Sequence, residues 1–436
     1  MKRVLIITYY WPPSGGGGVQ RWLKFSKYLP EFGWEPVIYT PENPEPAVID
    51  TALVEEVHSG CEILKTRIWE PYQLYRIFTG KKKSQKFKAG YISEASKGGL
   101  KDRISVFIRG NFLIPDPRRF WIKPSVKFLK KYLREHPVDL IVSTGPPHSM
   151  HLIALQLKKK LPVPWIADFR DPWTHIDFYE TLKLTRWAHR RHLKLEKAVV
   201  TTADKVVTVS RSWAKQFEND HSRKVDVVTN GFDPKDFKDE EVPLSEKFTI
   251  THIGSFNRDR NPIYFWETLG HLYAEDAEFR EDLEIVLIGQ TDTQVVESVI
   301  SSGLKDSLRL IDFVEHKKIG NYLQSSGLLL LPVNNTPNSS GIIPGKIFEY
   351  IAARRPIFAI GPVEGDSAQI IKELNAGVIC DFRDAPGIKN NLLKYYRLFK
   401  NNELFLDSRN FNIYSREMLA KQFISLYEDI KSSNNG

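Results

Sequence analysis

At 436 residues the chain is too long for one ordinary core and fits two domains of about 200 residues each. Its 42% apolar and 26% charged residues are those of a soluble globular protein, no apolar run approaches the ~20 residues that span a bilayer, and the two cysteines, Cys61 and Cys380, suit a reducing compartment and leave no cysteine-based zinc site. The net charge of +9 is concentrated, with 17 Lys/Arg against 3 Asp/Glu between Arg76 and Arg134, so an anionic partner is expected for the N-terminal half only.

The first run, "RVLIITYYWPP", reads as a strand over Val4–Tyr10. It is too short for a signal peptide and leads into glycines rather than a cleavage site. Four consecutive glycines follow, Gly15 to Gly18, although glycine loses more backbone freedom on ordering than any other residue. Beyond them Val19, Trp22, Leu23, Ser26 and Leu29 share one helical face, and Gly33 supplies a stop. A strand, a glycine turn and a helix start together present bare N–H groups at a positive helix end, which is an anion site. A merely tight turn accounts for one or two of these glycines but not four. The dinucleotide fingerprint G-x-G-x-x-G is absent, and the next strand, Val37–Thr40, ends without an acidic residue, which argues against a nicotinamide cofactor.

Lys81 to Gly99 reads as a long basic loop. "RRFWIKPSVKFLKKYLREH" then interleaves Lys/Arg with apolar residues, as an interfacial surface on anionic lipid would. A solvated helix face accounts for the lysines, less well for Phe120 and Trp121. Strands at Leu140–Thr144 and Trp165–Asp168 end in "STGPPHSMH", which puts His148 at a helix start, and in "WIADFRDPW", which sets Asp168, Arg170 and Asp171 at a strand end. Lys205–Ser210 and Asp226–Thr229 complete the first set. A second set comprises Phe248–Ile253, Glu284–Ile288, Leu308–Ile311, Leu328–Val333, Pro356–Ile360 and Val378–Cys380. Continuous Ile/Val/Leu strands separated by helices imply parallel sheets covered on both faces, hence two doubly wound domains. The charged, Pro-containing stretch Asn230 to Lys247 is the expected joint. Ligands of such sheets bind at the carboxyl ends of the strands, and two domains facing each other would make a deep cleft there.

In the second half, "FTITHIGSFNRDRNP" ends its strand at Gly254, with Asn261 as N-cap and Pro262 as first helical residue. Arg258 and Arg260 therefore cluster before a helix N-terminus, or else form a surface pair with Asp259. In "LLLLPVNNTPNSSGIIPGKIFEYIAARRPIFAI", Pro344 suits a first turn and Lys346 lies in it, where the dipole disfavours a cation by a few tenths of a kcal/mol or more. A phosphate between cation and helix would resolve that conflict, and a diphosphate between Arg260 and Lys346 resolves both cases. Glu349 shares the face of Lys346 and is suited to accept two hydroxyls, as from a ribose diol. An ordinary Lys–Glu helix pair is the alternative.

These residues resemble a known family. "GKIFEYIAARRPI" is similar to the donor helix of glycosyltransferase family 4, the retaining enzymes of the GT-B fold. "WPPSGGGGVQR…LP…GWEPVIYT", "VTVS", "VTNGFD" and "HIGSFNRDRNP" resemble the same family in matching order. The resemblance covers the chain except about Lys65 to Trp121. It implies an α/β chain of two Rossmann-like, doubly wound domains facing across a cleft. These would be an acceptor domain over 1–235 with a basic insertion near 76–134, a donor domain over 236–415, and a C-terminal helix over 416–436 returning to the first domain. By the same resemblance Gly17 and Gly18 lie over the donor diphosphate, Arg260 replaces the family's phosphate-binding lysine, and Lys346 sits on the diphosphate too. Glu349 matches the second glutamate of the E-x7-E motif, which holds the ribose. The first stands at Gly341, and Ser255 stands where many members have a second arginine. Donor-sugar contacts then fall to Gly341 and the N–H groups of Ile342 and Ile343.

Arg170 sits at the family's catalytic-histidine position, with His148 on the acceptor side. Either Asp171 or Asp168 receives the acceptor proton while Arg170 stabilises leaving charge, or the Asp–Arg pair is structural. The family implies no metal and no cofactor beyond a nucleotide-diphosphate sugar, and the chain has no Asp-x-Asp triplet. The expected function is retaining sugar transfer to a glycan or lipid-linked acceptor in cell-surface polysaccharide or lipopolysaccharide synthesis. The expected location is cytoplasmic, peripheral on an anionic membrane surface at the inner face of the cytoplasmic membrane. Nucleic acid is not an expected partner, for no known module appears. Alternatives are a GT-B sugar-nucleotide 2-epimerase and a non-catalytic membrane-surface binding protein.

Overall fold

The computed structural model describes residues 1–46, 48–71, 100–237, 242–312, 314, 316–404 and 411–434. They form two compact units, Met1–Thr229 with Arg416–Gly436, and Asn230–Ser415. The division falls at Thr229/Asn230 rather than at 235/236 because the intervening residues side with the second unit. Phe232 bridges to Ser415, donates its N–H to the Tyr414 carbonyl, and packs its ring near Phe237 and Phe411.

Among the described residues of the first unit, seven parallel strands lie in the order β3-β2-β1-β4-β5-β6-β7. They are β1 (Lys2–Ile7), β2 (Trp34–Pro41), β3 (Glu62–Thr66), β4 (Leu140–Gly145), β5 (Trp165–Phe169), β6 (Lys205–Thr208) and β7 (Asp226–Val227). The central strands are buried along nearly their whole length, Leu140–Gly145 entirely, as a sheet covered on both faces requires. One face is covered by the helix Gly17–Tyr28 and by the C-terminal helix Arg416–Asn434, whose Phe423 and Tyr427 meet Trp22 and Trp34 edge-on at 5.0 and 4.9 Å. The other is covered by the helices Ile122–Glu135 and Ser149–Lys158.

The second unit holds β8 (Phe248–Ile253), β9 (Leu283–Ile288), β10 (Leu308–Ile311), β11 (Leu328–Pro332), β12 (Ile357–Ile360) and β13 (Gly377–Cys380). Their order among the described residues is β10-β9-β8-β11-β12-β13, all parallel. In both sheets the order reverses beside the first strand, between β1 and β4 and between β8 and β11. Such a reversal opens a crevice at the carboxyl ends of the two strands, and that is where ligands of this architecture bind.

The strand β3 is an addition to the sequence reading. It is an edge strand whose residues are all half-buried or exposed, so it lacks the apolar run of the interior strands. The helix Ile122–Glu135 corrects another reading. Trp121 is fully buried, stacked on Tyr39 at 4.8 Å, and its Nε1 donates to Thr66 Oγ1 at 2.9 Å. Ile122, Val126, Leu129 and Leu133 lie in the core. This stretch therefore spends its apolar side on the protein interior, not on an interface. The basic loop read at Lys81–Gly99 lies outside the described residues.

Candidate active site

In the second unit the crevice between β8 and β11 gathers the residues singled out in the sequence. The chain leaves β8 through Gly254, whose φ of +94° belongs to glycine. A Cβ there would stand 2.6 Å from Lys346 Cε, so the lysine stem lies directly over this residue. Lys346 opens the helix Lys346–Ala352, and its Nζ donates to the Ser255 carbonyl at 3.4 Å. Arg260 ends the turn Arg258–Arg260, and its Nε donates to Asn334 Oδ1 at 2.5 Å, tying the loop after β8 to the loop after β11. Burial, with the positive charge of Arg260 second, lowers the Lys346 ammonium to about 7, while Glu349 acts in the opposite sense.

Beneath them His252 is buried, with Nδ1 on the Leu330 carbonyl at 3.0 Å. Desolvation and then the charges of Lys346 and Arg260 hold it well below its usual range, hence neutral. Two cations and one carboxylate thus act on a common point at the switch of strand order. Such a point is built to receive a group with more than one negative charge.

Two details differ from the sequence reading. Asn261 does not cap the following helix, which runs Ile263–Glu275 behind Pro262. Its side chain instead donates to Ser298 Oγ at 2.8 Å and accepts from Trp266 Nε1 at 3.0 Å. The Ile342 N–H is committed to the Ser339 carbonyl at 3.1 Å in the short turn Ser339–Gly341, so it is not offered to a ligand. Ile343 stays half-buried at the foot of the same loop, and Gly341 is buried.

The crevice of the first unit, between β1 and β4, is organised differently. Gly16, with φ +87°, caps the helix that Gly17 opens. A Cβ on Gly17 would meet nothing within 4 Å, whereas one on Gly18 would crowd the Tyr10 ring and the Arg170 guanidinium. Arg170, nearly buried, donates through Nη1 to the Gly18 carbonyl at 2.6 Å and through Nη2 to the Pro146 carbonyl at 2.5 Å. It therefore ties together the loops that follow β1 and β4. Burial lowers its pKa, with Asp168 and Asp171 opposing.

Asp168 is 0% exposed and accepts from Arg21 Nε and Nη2 (3.2 and 3.0 Å), Trp22 Nε1 (2.8 Å) and Thr144 Oγ1 (2.9 Å). A carboxylate so enclosed, ion-paired to Arg21 and without exposed surface, braces the fold and is out of reach of a substrate hydroxyl, which corrects its place among the catalytic candidates. Asp171 is half-buried; burial raises its pKa and Arg170 opposes. His148 precedes the helix Ser149–Lys158 and stacks flat on Trp173 at 4.7 Å. Burial, then His151, lowers its pKa far below the usual range.

The family model of the glycosyl transferase 4-like domain matches residues 16–231. The chain is a glycosyltransferase. Among solved structures, the fold of this glycosyltransferase matches sucrose-phosphate synthase (tll1590) from Thermosynechococcus elongatus, with TM-score 0.64, 14% identity, and 99% of this chain and 100% of that one covered. It also matches a point mutant of TarM from S. aureus in complex with fondaparinux, alpha-GlcNAc-glycerol and UDP (0.63, 10%, 98% and 100%). A third likeness is to WaaG, a glycosyltransferase involved in lipopolysaccharide biosynthesis (0.56, 13%, 96% and 99%). These likenesses establish the GT-B fold with two Rossmann-like domains. No curated protein matches the sequence.

The residues that sequence reasoning missed in this glycosyltransferase are Arg21, Asn334 and His252. Arg21 carried a signal. It falls between Val19 and Trp22 at the start of a helix whose neighbours are apolar, and a charge placed there needs a buried counter-charge. In the structure it is 1% exposed against Asp168. Asn334 and His252 carried none, because their roles arise only when the loops after β8 and β11 come together.

Proposed function

We propose that the chain is a retaining glycosyltransferase that moves a sugar from a nucleotide-diphosphate donor to a hydroxyl of a glycan or lipid-linked acceptor. The setting proposed is cell-surface polysaccharide or lipopolysaccharide synthesis at the inner face of the cytoplasmic membrane. The observation that carries this reading is the pairing of Arg260 and Lys346 at the β8/β11 crevice, where the charge of Arg260 helps lower the lysine's pKa. A diphosphate would relieve that repulsion and take both cations. Glu349, one helical turn beyond Lys346, would take the ribose hydroxyls.

In this reading charge developing on the leaving diphosphate is stabilised by Arg260 and Lys346 together. A preorganised donor of this kind is typically worth about 2.7–4 kcal/mol, ~10²–10³ in rate. The resemblance assigns Gly17 and Gly18 to the donor diphosphate, and at Gly17 a Cβ would meet no protein atom within 4 Å. A leaving phosphate oxygen takes the acceptor proton; Asp171, with its raised pKa, is the side chain suited to assist. Arg170 holds the glycine loop in shape, and His148 lines the acceptor side as a neutral ring. The donor is the one cofactor-like group required. The TarM structure, which holds UDP and a glycosylated glycerol, and WaaG, with its part in lipopolysaccharide biosynthesis, support the donor and acceptor classes.

The test is nucleotide release from a panel of nucleotide-diphosphate sugars, with and without a membrane-extract acceptor, followed by mass spectrometry and NMR of the product. Acceptor-dependent release with the anomeric configuration kept is expected, and Lys346→Ala abolishes it while leaving the melting temperature unchanged. Turnover of the donor without acceptor, giving an epimerised sugar nucleotide, would replace this reading with the epimerase.

A further inference from the structure

The helix Leu100–Phe112 is built inside out. Its packed side is small or polar: Ser105, Val106, Gly110 and Asn111 are the buried positions. Gly110 is required there, since a Cβ would come within 2.8 Å of the Leu182 carbonyl and of Leu184 Cδ2. Asn111 fastens the same side, donating to the Lys183 carbonyl at 3.3 Å and accepting from the Thr185 N–H at 2.7 Å. The large apolar residues point outward instead. Ile104, Phe107, Ile108 and Phe112 are 39–61% exposed, at the i, i+3, i+4, i+8 spacing that normally faces a core.

The stripe continues onto neighbouring elements. Arg119 Nη1 donates to the Phe112 carbonyl at 2.7 Å, which brings Phe120, 43% exposed, beside the helix end. Phe120 in turn meets Trp69, 55% exposed, edge-on at 4.8 Å. On the other flank Thr185, held by Asn111, caps the helix Arg186–Thr202, whose second residue, Trp187, is 66% exposed. Large apolar side chains exposed together on neighbouring elements in this way mark an interaction site.

Its charge selects the partner. Arg103, Arg119, Lys123, Arg186, Arg190 and Arg191 are exposed around it. Residues 186–195 contain no carboxylate, and from 103 to 123 the one carboxylate is Asp116, half-buried and occupied by the N–H and Oγ of Ser149. Glu180, exposed in the turn Glu180–Leu182, is outnumbered there, and aromatic and aliphatic side chains rimmed mainly by Arg and Lys fit the headgroup boundary of an anionic bilayer.

We propose that this face, and not the helix Ile122–Glu135, docks the enzyme on anionic lipid, with Phe107, Phe112 and Trp187 entering the headgroup boundary. The proposal rests on the reading of a membrane-side acceptor only for its purpose, because docking is measured without donor or acceptor. The test is sedimentation of the full chain with vesicles of phosphatidylglycerol and phosphatidylcholine, and with phosphatidylcholine alone. Binding to the mixed vesicles is expected, weakened but not abolished by salt. Phe107→Ser with Phe112→Ser lowers partitioning on the order of tenfold or more and leaves binding salt-sensitive. Arg190→Ser with Arg191→Ser removes preference for the anionic vesicles. These positions are exposed, so melting temperatures stay at the wild-type value. Absence of vesicle binding by the wild-type chain, or undiminished binding by the phenylalanine pair, overturns the proposal. So does a concentration-dependent dimer that the phenylalanine pair abolishes, for the face would then belong to a second copy. Loss of transferase activity toward every donor would sink the proposed function and leave vesicle binding untouched.

Discussion

The state of Lys346 gives a prediction that can be worked through. Burial and then Arg260 hold its ammonium near about 7 when the crevice carries no anion. A bound diphosphate favours the charged form and returns the group toward its ordinary range. At pH 8 a group titrating near 7 is about one-tenth protonated, so binding should take up about 0.9 proton. Near pH 7 the uptake falls to about 0.5, and at pH 6 to about 0.1. The sign follows directly: affinity is greatest below pH 7 and weakens by about tenfold between pH 6 and pH 8, about 1.4 kcal/mol. The ligand's own phosphate gains charge near pH 6 and pulls the other way. The comparison must therefore be made against Lys346→Met, which retains the ligand term and loses the lysine term. Calorimetric titration with UDP in two buffers of different ionisation enthalpy measures the uptake. Lys346→Arg keeps a cation that does not titrate in this range and should flatten the pH dependence while still binding. Arg260→Gln should shift the uptake profile to higher pH, because one cause of the lowered pKa is gone. Equal proton uptake by wild type and Lys346→Met at pH 8 would refute the reasoning, since Lys346 would then not face the phosphates.

Other substitutions separate bracing from binding. Asp168→Ala leaves Arg21, 1% exposed, without its buried counter-charge and should cost about 3–5 kcal/mol in chemical denaturation; full stability with lost transfer would restore Asp168 as a catalytic group. Gly17→Ala meets no protein atom within 4 Å and at a helix start should leave the melting temperature level or slightly raised. Turnover should nonetheless fall, and unchanged kinetics would remove that glycine from the donor site. Gly254→Ala combines a left-handed backbone, about 1–2 kcal/mol, with displacement of the Lys346 stem. A weakened UDP affinity in titration is expected, larger than the loss of stability would explain.

The two sheets were legible in the sequence because parallel strands covered on both faces are written as unbroken apolar runs, of which "LLLLP" at β11 is the extreme case. β3 was not, because "EILKT" lies at an edge and buries none of its residues fully. The cations of the second unit could be picked out because a lysine or arginine beside a positive helix end is a local conflict, visible in a few residues. The face on Leu100–Phe112 could not. Its periodicity is that of any amphipathic helix, and only the packed positions reveal which side was turned inward. The same ambiguity misplaced Trp121, whose cationic neighbours read as interfacial although its ring lies under Tyr39.

Arg170 and Arg260 show where local reading ends. Both follow a strand beside or next to the reversal of order in their own sheet, and both read as a cation poised for an anion. In the first unit the guanidinium ties two main-chain carbonyls, Gly18 and Pro146, and the carboxylates of Asp168 and Asp171 act against its charge, so it serves to fix the loops. In the second unit the corresponding link runs from Arg260 to a neutral amide, Asn334. An amide oxygen satisfies one N–H without cancelling the charge, and that charge is still felt at Lys346 and at His252. Equal topology therefore yields a braced crevice in one unit and an electropositive one in the other. The difference lies in the carboxylates that Asp168 and Asp171 bring to bear on Arg170 in the first unit. On this argument Asn334→Asp would place a carboxylate against Arg260, cancel the field at Lys346, raise its pKa and weaken the hold on a diphosphate, all without moving a strand.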